Sequence, residues 1–168
     1  ITGAVDTGYG VPSNQLGWGR VNLSQALPLP KTIFFADETA GLTTGQEKTY
    51  LLDVGVDLPF KASLVWSDKD ANVQAQVTLI NDLDLIVKDS QGILYYGNDF
   101  SAPYNDYKDA INNVEQVHIF SPVKGRYAIT VNATNVPIPS QPFALVISYD
   151  EGKETTRRCS TSFPYNCV

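Results

Sequence analysis

Carboxylate and carboxamide side chains crowd the segment from residue 81 to residue 115, and Lys108 is the only basic residue between Asn98 and Glu115. The oxygen-bearing residues are Asn81, Asp82, Asp84, Asn98, Asp99, Asn105, Asp106, Asp109, Asn112, Asn113 and Glu115. Carboxylates that lie close together repel, so they either take up protons or hold a cation between them. Calcium accepts about six to eight oxygen ligands of this mixed kind, so the segment indicates a calcium site. The alternative is a solvated loop in which Asn and Asp form turns.

Catalytic machinery is missing from the sequence. His118 is the only histidine, and it lies in an alternating run that predicts a strand. A Ser–His–Asp centre needs a nucleophile and an orienting carboxylate around its histidine, and no Gly-x-Ser-x-Gly motif occurs. One histidine and two cysteines near the C-terminus also argue against a zinc site. We therefore predict that this chain alone is not an enzyme and that His118 is a packing or surface residue.

The composition restricts the class of protein. Hydrophobic residues make up 43% of the 168 residues, which is enough for a core. The formal net charge of −6 argues against binding to nucleic acid or to anionic membrane surfaces. No apolar run has the length of a membrane span. The chain contains no methionine, so we expect residue 1 to be an internal position of a longer protein.

Alternation of apolar and polar residues recurs in eight short runs, which predicts an all-β fold. The runs are 32–36, 46–54, 61–66, 83–87, 93–96, 114–119, 127–133 and 143–149. Turn-forming residues separate them. Many short strands without a long helix are typical of an antiparallel β-sandwich, and we predict a jelly roll. Before the strands, residues 21–27 predict a short helix that ends at Pro28.

Two further features leave alternatives open. The aromatic residues beside the polar segment are Tyr95, Tyr96, Phe100, Tyr104 and Tyr107. They fit either a sugar-stacking platform or ordinary packing that anchors the loop. Cys159 and Cys167 are close in sequence, which favours a local disulfide and hence an extracellular, secreted protein, with two free thiols as the alternative.

Several motifs, in one order, resemble a known family. The segment from Gly17 to Leu23, followed by Ala26-Leu27, looks like the end of a subtilisin-like serine protease (subtilase) catalytic domain. The later motifs resemble the C-terminal jelly roll of the oxidation-resistant alkaline subtilases; they are Leu64–Asp68, Val77–Leu85, Tyr96–Phe100, Asn112–Glu115, Gly125–Tyr127, Asn135–Pro137 and Gln141–Leu145. The architecture is also similar to the P domain of proprotein convertases.

This resemblance implies three regions: the end of a catalytic domain over 1–27, a calcium-binding jelly roll over 28–150, and a tail over 151–168 that has no counterpart in the family. The partner would be the upstream subtilisin-like catalytic domain, which performs the proteolysis. The role implied for this chain is a non-catalytic accessory domain of a secreted serine endopeptidase, which it stabilises. A carbohydrate-binding or protein-binding β-sandwich module is the alternative.

The resemblance also implies a set of calcium ligands. The matching positions are Asp84, Asp99, Asp106 and Asp109, together with Asn98 and Asn105. None of the family's catalytic residues has a matching position here. Tyr107, Lys108, Ala110 and Ile111 depart from the family, whose residues there are smaller or more polar.

Overall fold

A computed structural model describes residues 1–27 and 31–151 of the chain. Within these residues, one short helix, α1 (Leu23–Ala26), precedes eight strands. The strands are β1 (Thr32–Leu42), β2 (Glu47–Val54), β3 (Phe60–Val65), β4 (Asp82–Lys88), β5 (Leu94–Tyr96), β6 (Val114–Ile119), β7 (Gly125–Asn135) and β8 (Gln141–Tyr149). The predicted all-β fold and the short helix are therefore confirmed, although β1 and β7 extend further than their alternating runs.

The strands form two antiparallel four-stranded sheets, with the orders β1-β8-β3-β6 and β2-β7-β4-β5. The chain crosses from one sheet to the other after almost every strand, which is the connectivity of a jelly roll. This topology places β4 beside β7, although the two strands are far apart in sequence. β4 and β6 belong to different sheets and also come into contact.

The core lies between the two sheets and follows from the alternation of side chains along each strand. On β4, Leu83, Leu85 and Val87 are fully buried, as are Tyr127 and Ile129 on β7. Further core residues are Phe60, Ala62, Leu64, Trp66, Val117, Val131, Phe143, Leu145 and Ile147. The alternation in the sequence thus corresponds to buried and exposed faces of these strands. Each fully buried aliphatic side chain contributes about 1.5–3 kcal/mol to the free energy of unfolding.

Residues 1–27 lie against the sandwich. The Asn22 side chain accepts hydrogen bonds from the Ser24 and Gln25 amides and so caps α1, which buries none of its own residues. The Thr2 hydroxyl donates to the Ser63 hydroxyl on β3 at 2.8 Å. The Thr2–Ser63 hydrogen bond connects the segment to the first sheet, while the predicted boundary at residue 27 stays a prediction. No helix of the described residues is long and apolar enough to cross a membrane.

Candidate cation site

Acidic and apolar residues alternate along β4. Leu83 and Leu85 point into the core, so Asp82 and Asp84 lie on the other face of the strand. Asp84 is nevertheless only 2% exposed. A carboxylate that is removed from water needs hydrogen bonds or an opposite charge to remain ionised.

Polar groups from β7 and from the segment after β5 surround the Asp84 carboxylate. Its Oδ2 accepts from the Thr134 hydroxyl and from Asn132 Nδ2 at 3.3 Å, both on β7. Lys108 Nζ donates to the same oxygen at 2.9 Å. The Lys108 side chain remains 38% exposed, whereas that of Asp84 is 3% exposed. The ion pair therefore joins a buried anion to a cation that reaches it from the surface.

Asp109 and Asn98 organise the loop between β5 and β6. The Asp109 carboxylate accepts from the Ile111 amide at 2.8 Å, from the Asn112 amide at 3.0 Å and from the Asn98 side chain at 2.5 Å. Asn98 has a φ of 61°, a left-handed conformation that Asn adopts more readily than most residues. Its Oδ1 accepts from the Gln116 amide at 2.9 Å. Asn98 thereby ties Asp109 to the start of β6.

Glu115 is an acidic side chain inside the sandwich. It is 1% exposed, and its Oε2 accepts from the Leu85 amide of β4 at 2.6 Å. Its Oε1 is buried and has no hydrogen-bond partner. Burial raises the pKa of Glu115 well above its usual value, the Leu85 hydrogen bond opposes this rise, and the charges of Asp84, Asp109 and Asp82 add to it.

Gly97 makes room for Glu115. A Cβ atom at position 97 would lie 2.0 Å from Glu115 Oε2, a separation that no pair of non-bonded atoms sustains. The Gly97 amide donates to the Leu85 carbonyl at 2.8 Å, directly beside the Leu85 amide that Glu115 accepts from. The close approach of this backbone thus explains why glycine precedes Asn98.

Asp82 is the fourth carboxylate of the group. Its pKa is raised to about 6, first by burial and then by the charges of Asp84 and Asp109, while Lys108 lowers it. Asp82 Oδ1 is also buried without a hydrogen-bond partner. Four carboxylates from β4, the β5–β6 loop and β6 therefore lie within electrostatic reach of one another. We call Asp82, Asp84, Asp109 and Glu115 the acidic cluster.

The structure divides the predicted ligand set. Asp84 and Asp109 belong to the acidic cluster, and Asn98 is bonded to Asp109. Asp99 instead accepts from the Asp106 amide at 2.9 Å, and Asn105 donates to the Leu94 carbonyl at 3.3 Å. Asp99, Asp106 and Asn105 therefore shape the loop. Neither Asp99 nor Asp106 is among the charges that shift the pKa of Asp82 or Glu115, and Asn105 carries no charge. As calcium ligands they remain a prediction.

Two members of the acidic cluster, Asp82 and Glu115, were not among the ligands predicted from the sequence. The signal for Glu115 lies in the alternation of β6, where it occupies the same face as Val117 and Ile119. An acidic residue at an inward position of a strand is costly and calls for a special partner. The signal for Asp82 is its spacing of two from Asp84 on one strand.

The acidic cluster suits a hard divalent cation in its chemistry. It offers carboxylate oxygens, two of which have no hydrogen-bond partner although they are buried. Within residues 1–27 and 31–151, however, no three acidic, histidine or cysteine side chains converge closely enough to hold a metal ion. An ion at this site would therefore also need amide or backbone oxygens, which calcium readily accepts. A cavity of about 370 Å³ borders the site, with Pro12, Asn98, Lys108 and Asp109 in its wall.

His118 has a packing role in the structure. Its Nε2 lies 2.6 Å from Gln116 Oε1, and its ring packs against Phe100 and Phe120. Burial lowers the pKa of His118 to about 4, with a further contribution from the Lys61 charge. A histidine that stays neutral between two aromatic rings is a packing residue, in agreement with the sequence analysis.

The aromatic residues beside the loop are engaged in contacts of their own. Tyr95 packs against Tyr104 with ring centroids 5.6 Å apart, and Phe100 packs edge-to-face against Trp18 at 6.3 Å. The Tyr107 hydroxyl donates to the Asn98 carbonyl at 2.9 Å. Of the two interpretations, these contacts favour packing and loop anchoring. Cys159 and Cys167 lie outside the described residues, so the predicted disulfide stays a prediction.

The chain is similar in sequence to three large proteins of Dictyostelium discoideum, each named a serine protease/ABC transporter B family protein. TagA is 28% identical over 152 residues, covering 81% of this chain and 9% of tagA. TagD is 32% identical over 55% of this chain, and tagB is 31% identical over 64%. The matched region spans 6% of each of these two proteins. The chain is thus related to a small segment of much longer, protease-named proteins.

Other comparisons add little. No protein-family model matches the chain. A lipase from Bacillus licheniformis, BlEst2 in its propeptide form, aligns with a TM-score of 0.38 and 14% identity over 71% of this chain and 22% of that chain. A protein from Sulfurospirillum deleyianum aligns with a TM-score of 0.40 and 6% identity, over 71% of this chain and 98% of its own. Likenesses this weak carry no functional argument.

Proposed function

We propose that this chain is a non-catalytic accessory domain of a larger, secreted subtilisin-like serine protease. The observation that carries the proposal is its relation to a short segment of three longer proteins that are named serine proteases. The jelly-roll order of the strands and the motifs that resemble subtilases support it. Proteolysis would belong to the upstream catalytic domain, and this chain would stabilise that domain.

The contacts of residues 1–27 indicate how such stabilisation would work. If this segment is the end of a catalytic domain, Trp18 and Thr2 connect that domain to the sandwich through Phe100 and Ser63. Unfolding of the sandwich would then remove packing from the last part of the catalytic domain. The sandwich would act as a clamp at the C-terminal end of the protease.

The parent polypeptide tests the proposed association. An antibody raised against the 168-residue chain would be used to purify the polypeptide that contains it from its source. A fluorophosphonate probe, which labels the nucleophilic serine of serine hydrolases, should then label that polypeptide, and its upstream sequence should contain a Gly-Thr-Ser nucleophile motif. If the intact polypeptide is not labelled by the probe and its upstream sequence lacks such a motif, the association with a protease is refuted.

We further propose that the acidic cluster holds calcium and that this ion stabilises the fold. Asp84 and Asp109 would be ligands, as the resemblance implies, with Asp82 and Glu115 as additional candidates. Like charges in a buried site disfavour the ionised state, and a divalent cation removes that penalty. Because the site is assembled only in the folded chain, the binding free energy adds to the free energy of unfolding.

Thermal unfolding of the 168-residue chain tests calcium binding. The midpoint Tm should rise by several degrees between a buffer with EDTA and one with millimolar CaCl2 at pH 7.5, because binding to the native state stabilises it. The matched controls are MgCl2 at the same ionic strength and the Asp109→Asn variant, which should lose most of the calcium response. An identical Tm in EDTA and CaCl2 would refute calcium binding and leave the protease association untouched.

Secretion is also part of the proposal. It rests on the two cysteines, Cys159 and Cys167, since disulfides persist in oxidising compartments. Mass spectrometry of the natural protein after alkylation without reduction should show a linked Cys159–Cys167 peptide. Full alkylation of both thiols would instead indicate a reducing compartment.

A further inference from the structure

We propose that Lys108 is a resident counter-ion of the acidic cluster that competes with calcium for Asp84. This inference rests on the calcium site proposed above. It concerns a residue that departs from the family pattern, and it assigns Lys108 a role in setting the affinity of this chain for the ion.

The ammonium group of Lys108 lies directly at the Asp84 carboxylate. Lys108 Nζ lies 2.9 Å from Asp84 Oδ2, at the oxygen that already accepts from Asn132 and Thr134. A calcium ion bonded to this carboxylate would lie about 2.3–2.6 Å from an oxygen of Asp84. The two cations would then be only a few ångströms apart in a poorly solvated site. Because like charges at such a distance repel strongly, the ammonium and the ion exclude one another at Asp84.

The acidic cluster has more negative than positive charge even with Lys108 in place. Lys108 is the basic residue that acts on Asp82, against the charges of Asp84 and Asp109. Glu115 Oε1, on a side chain that is 1% exposed, has no hydrogen-bond partner. One ammonium group therefore offsets part of the negative charge and leaves a buried carboxylate oxygen unpaired. The acidic cluster can therefore still bind a cation while Lys108 is in place.

The Lys108 side chain has open space beside it into which it can move away from Asp84. Its side chain is 38% exposed and it lines the open cavity of about 370 Å³ beside Asp109. Nζ also lies 5.9 Å from the centre of the Tyr96 ring, a distance at which an aromatic face attracts a cation. A long, flexible side chain at the edge of a cavity leaves its partner without rearrangement of the backbone. Asp84, by contrast, is fixed on β4.

The proposal predicts two opposite effects of removing the lysine charge. Without calcium, the uncharged variant should be less stable, because Asp84 loses its only described ion pair. With calcium, the variant should bind the ion more tightly, because the competing cation has gone. A lysine that merely packs on the loop would not make binding tighter.

Isothermal titration of the 168-residue chain with CaCl2 at pH 7.5, after removal of metal with EDTA, measures the effect. Lys108→Met keeps the apolar stem and should lower the calcium Kd about tenfold relative to the wild type. Lys108→Arg keeps the charge and should leave the Kd within about twofold. Lys88→Met is the matched control, because it removes the same charge from an exposed position at the end of β4. It should also leave the Kd nearly unchanged.

The outcomes separate the two proposals. If the wild type binds calcium and Lys108→Met binds it equally well or more weakly, the competition is refuted and the calcium site stands. If Lys88→Met tightens binding as much as Lys108→Met, the effect is long-range and the assignment to Lys108 is refuted. If none of the four proteins binds calcium, both proposals fail. Should Lys108→Met not fold in EDTA, Lys108→Gln and a titration started from the calcium-loaded protein provide the same comparison.

Discussion

Glu115 on β6 accepts a hydrogen bond of 2.6 Å from the Leu85 amide on β4 and so connects the two sheets of the sandwich. β5 ends at Tyr96, so the edge of β4 near Leu85 has no strand to pair with this amide. The Glu115 side chain takes the place of that strand. The same side chain carries the unpaired Oε1, which makes Glu115 both a structural link and a buried carboxyl group with a raised pKa.

The first prediction concerns this link. Glu115→Gln retains an oxygen for the Leu85 amide and removes the buried charge, so in EDTA it should unfold with a free energy within about 1 kcal/mol of the wild type, or slightly higher. Glu115→Ala leaves the Leu85 amide unsatisfied and should lose about 2–4 kcal/mol. Urea unfolding of the three proteins checks this. In CaCl2, Glu115→Gln should gain less stability than the wild type; an equal gain would exclude Glu115 as a ligand.

The second prediction concerns Gly97. Gly97→Ala places a methyl group against Glu115 Oε2, so it should destabilise the chain by about 1–3 kcal/mol. In the double variant Gly97→Ala/Glu115→Ala the carboxyl group that the added methyl group would strike is gone, and only the Cβ atom of residue 115, at 2.7 Å, remains close to it. In a double-mutant cycle, the double variant should then lose at least about 1 kcal/mol less free energy of unfolding than the two single variants lose together. Strict additivity would show that Gly97 is required for a reason other than Glu115.

The third prediction concerns Asp82 and pH. In the folded chain the pKa of Asp82 is about 6, against an ordinary value of 3.8, so the folded state holds the proton over a range in which the unfolded state has lost it. The contribution to stability is therefore present below about pH 4 and is lost as the pH rises to 6. In EDTA, the free energy of unfolding of the wild type minus that of Asp82→Asn should fall by about 1 kcal/mol between pH 4.5 and pH 7. A difference that is flat with pH would contradict the raised pKa.

The fourth prediction concerns His118 and has the opposite sign. The pKa of His118 is about 4 in the folded chain and 6.5 ordinarily, so between these values the unfolded state binds the extra proton. Its contribution to stability is present above pH 6.5 and is lost as the pH falls towards 4. The free energy of unfolding of the wild type minus that of His118→Gln should decrease by about 1–2 kcal/mol from pH 7 to pH 4.5. An NMR titration that places the His118 pKa near 6.5 would contradict this.

The fifth prediction concerns the packing of residues 1–27 on the sandwich. Trp18→Ala removes the edge-to-face contact with Phe100, so the segment should detach more often and be cleaved several times faster in limited proteolysis. Tyr9→Ala, at a residue that is 66% exposed, is the control and should leave the cleavage rate unchanged. Equal rates for Trp18→Ala and the wild type would show that Trp18 does not hold the segment in place.

Much of the fold was accessible from the residues alone. Alternation along the chain located all eight strands, and it identified the inward faces of β4 and β7, because side chains of a strand point to opposite sides in turn. The same logic missed the second half of β1. Residues after Ala36 there do not alternate cleanly, and the register of β1 with β8 shifts between Glu38 and Leu42.

The candidate site could be predicted from the sequence only in part. The abundance of Asp and Asn between residues 81 and 115 pointed to a cation, and the spacing of Asp82 and Asp84 placed both on one face of β4. Residue content and spacing can both be read directly from the sequence, so these two features could be predicted. Nothing in the spacing, however, tells which carboxylates of a long loop meet a given strand.

The partners of the acidic residues depended on the order of the strands. Glu115 meets Leu85 because β6 and β4 come together across the sandwich, and Asp84 meets Asn132 because β4 pairs with β7. Local sequence predicts that a strand exists, since it depends on neighbouring side chains, but pairing depends on contacts between residues far apart in the chain. For this reason the alternating pattern revealed the sandwich, while the grouping of Asp82, Asp84, Asp109 and Glu115 around Lys108 emerged only in three dimensions.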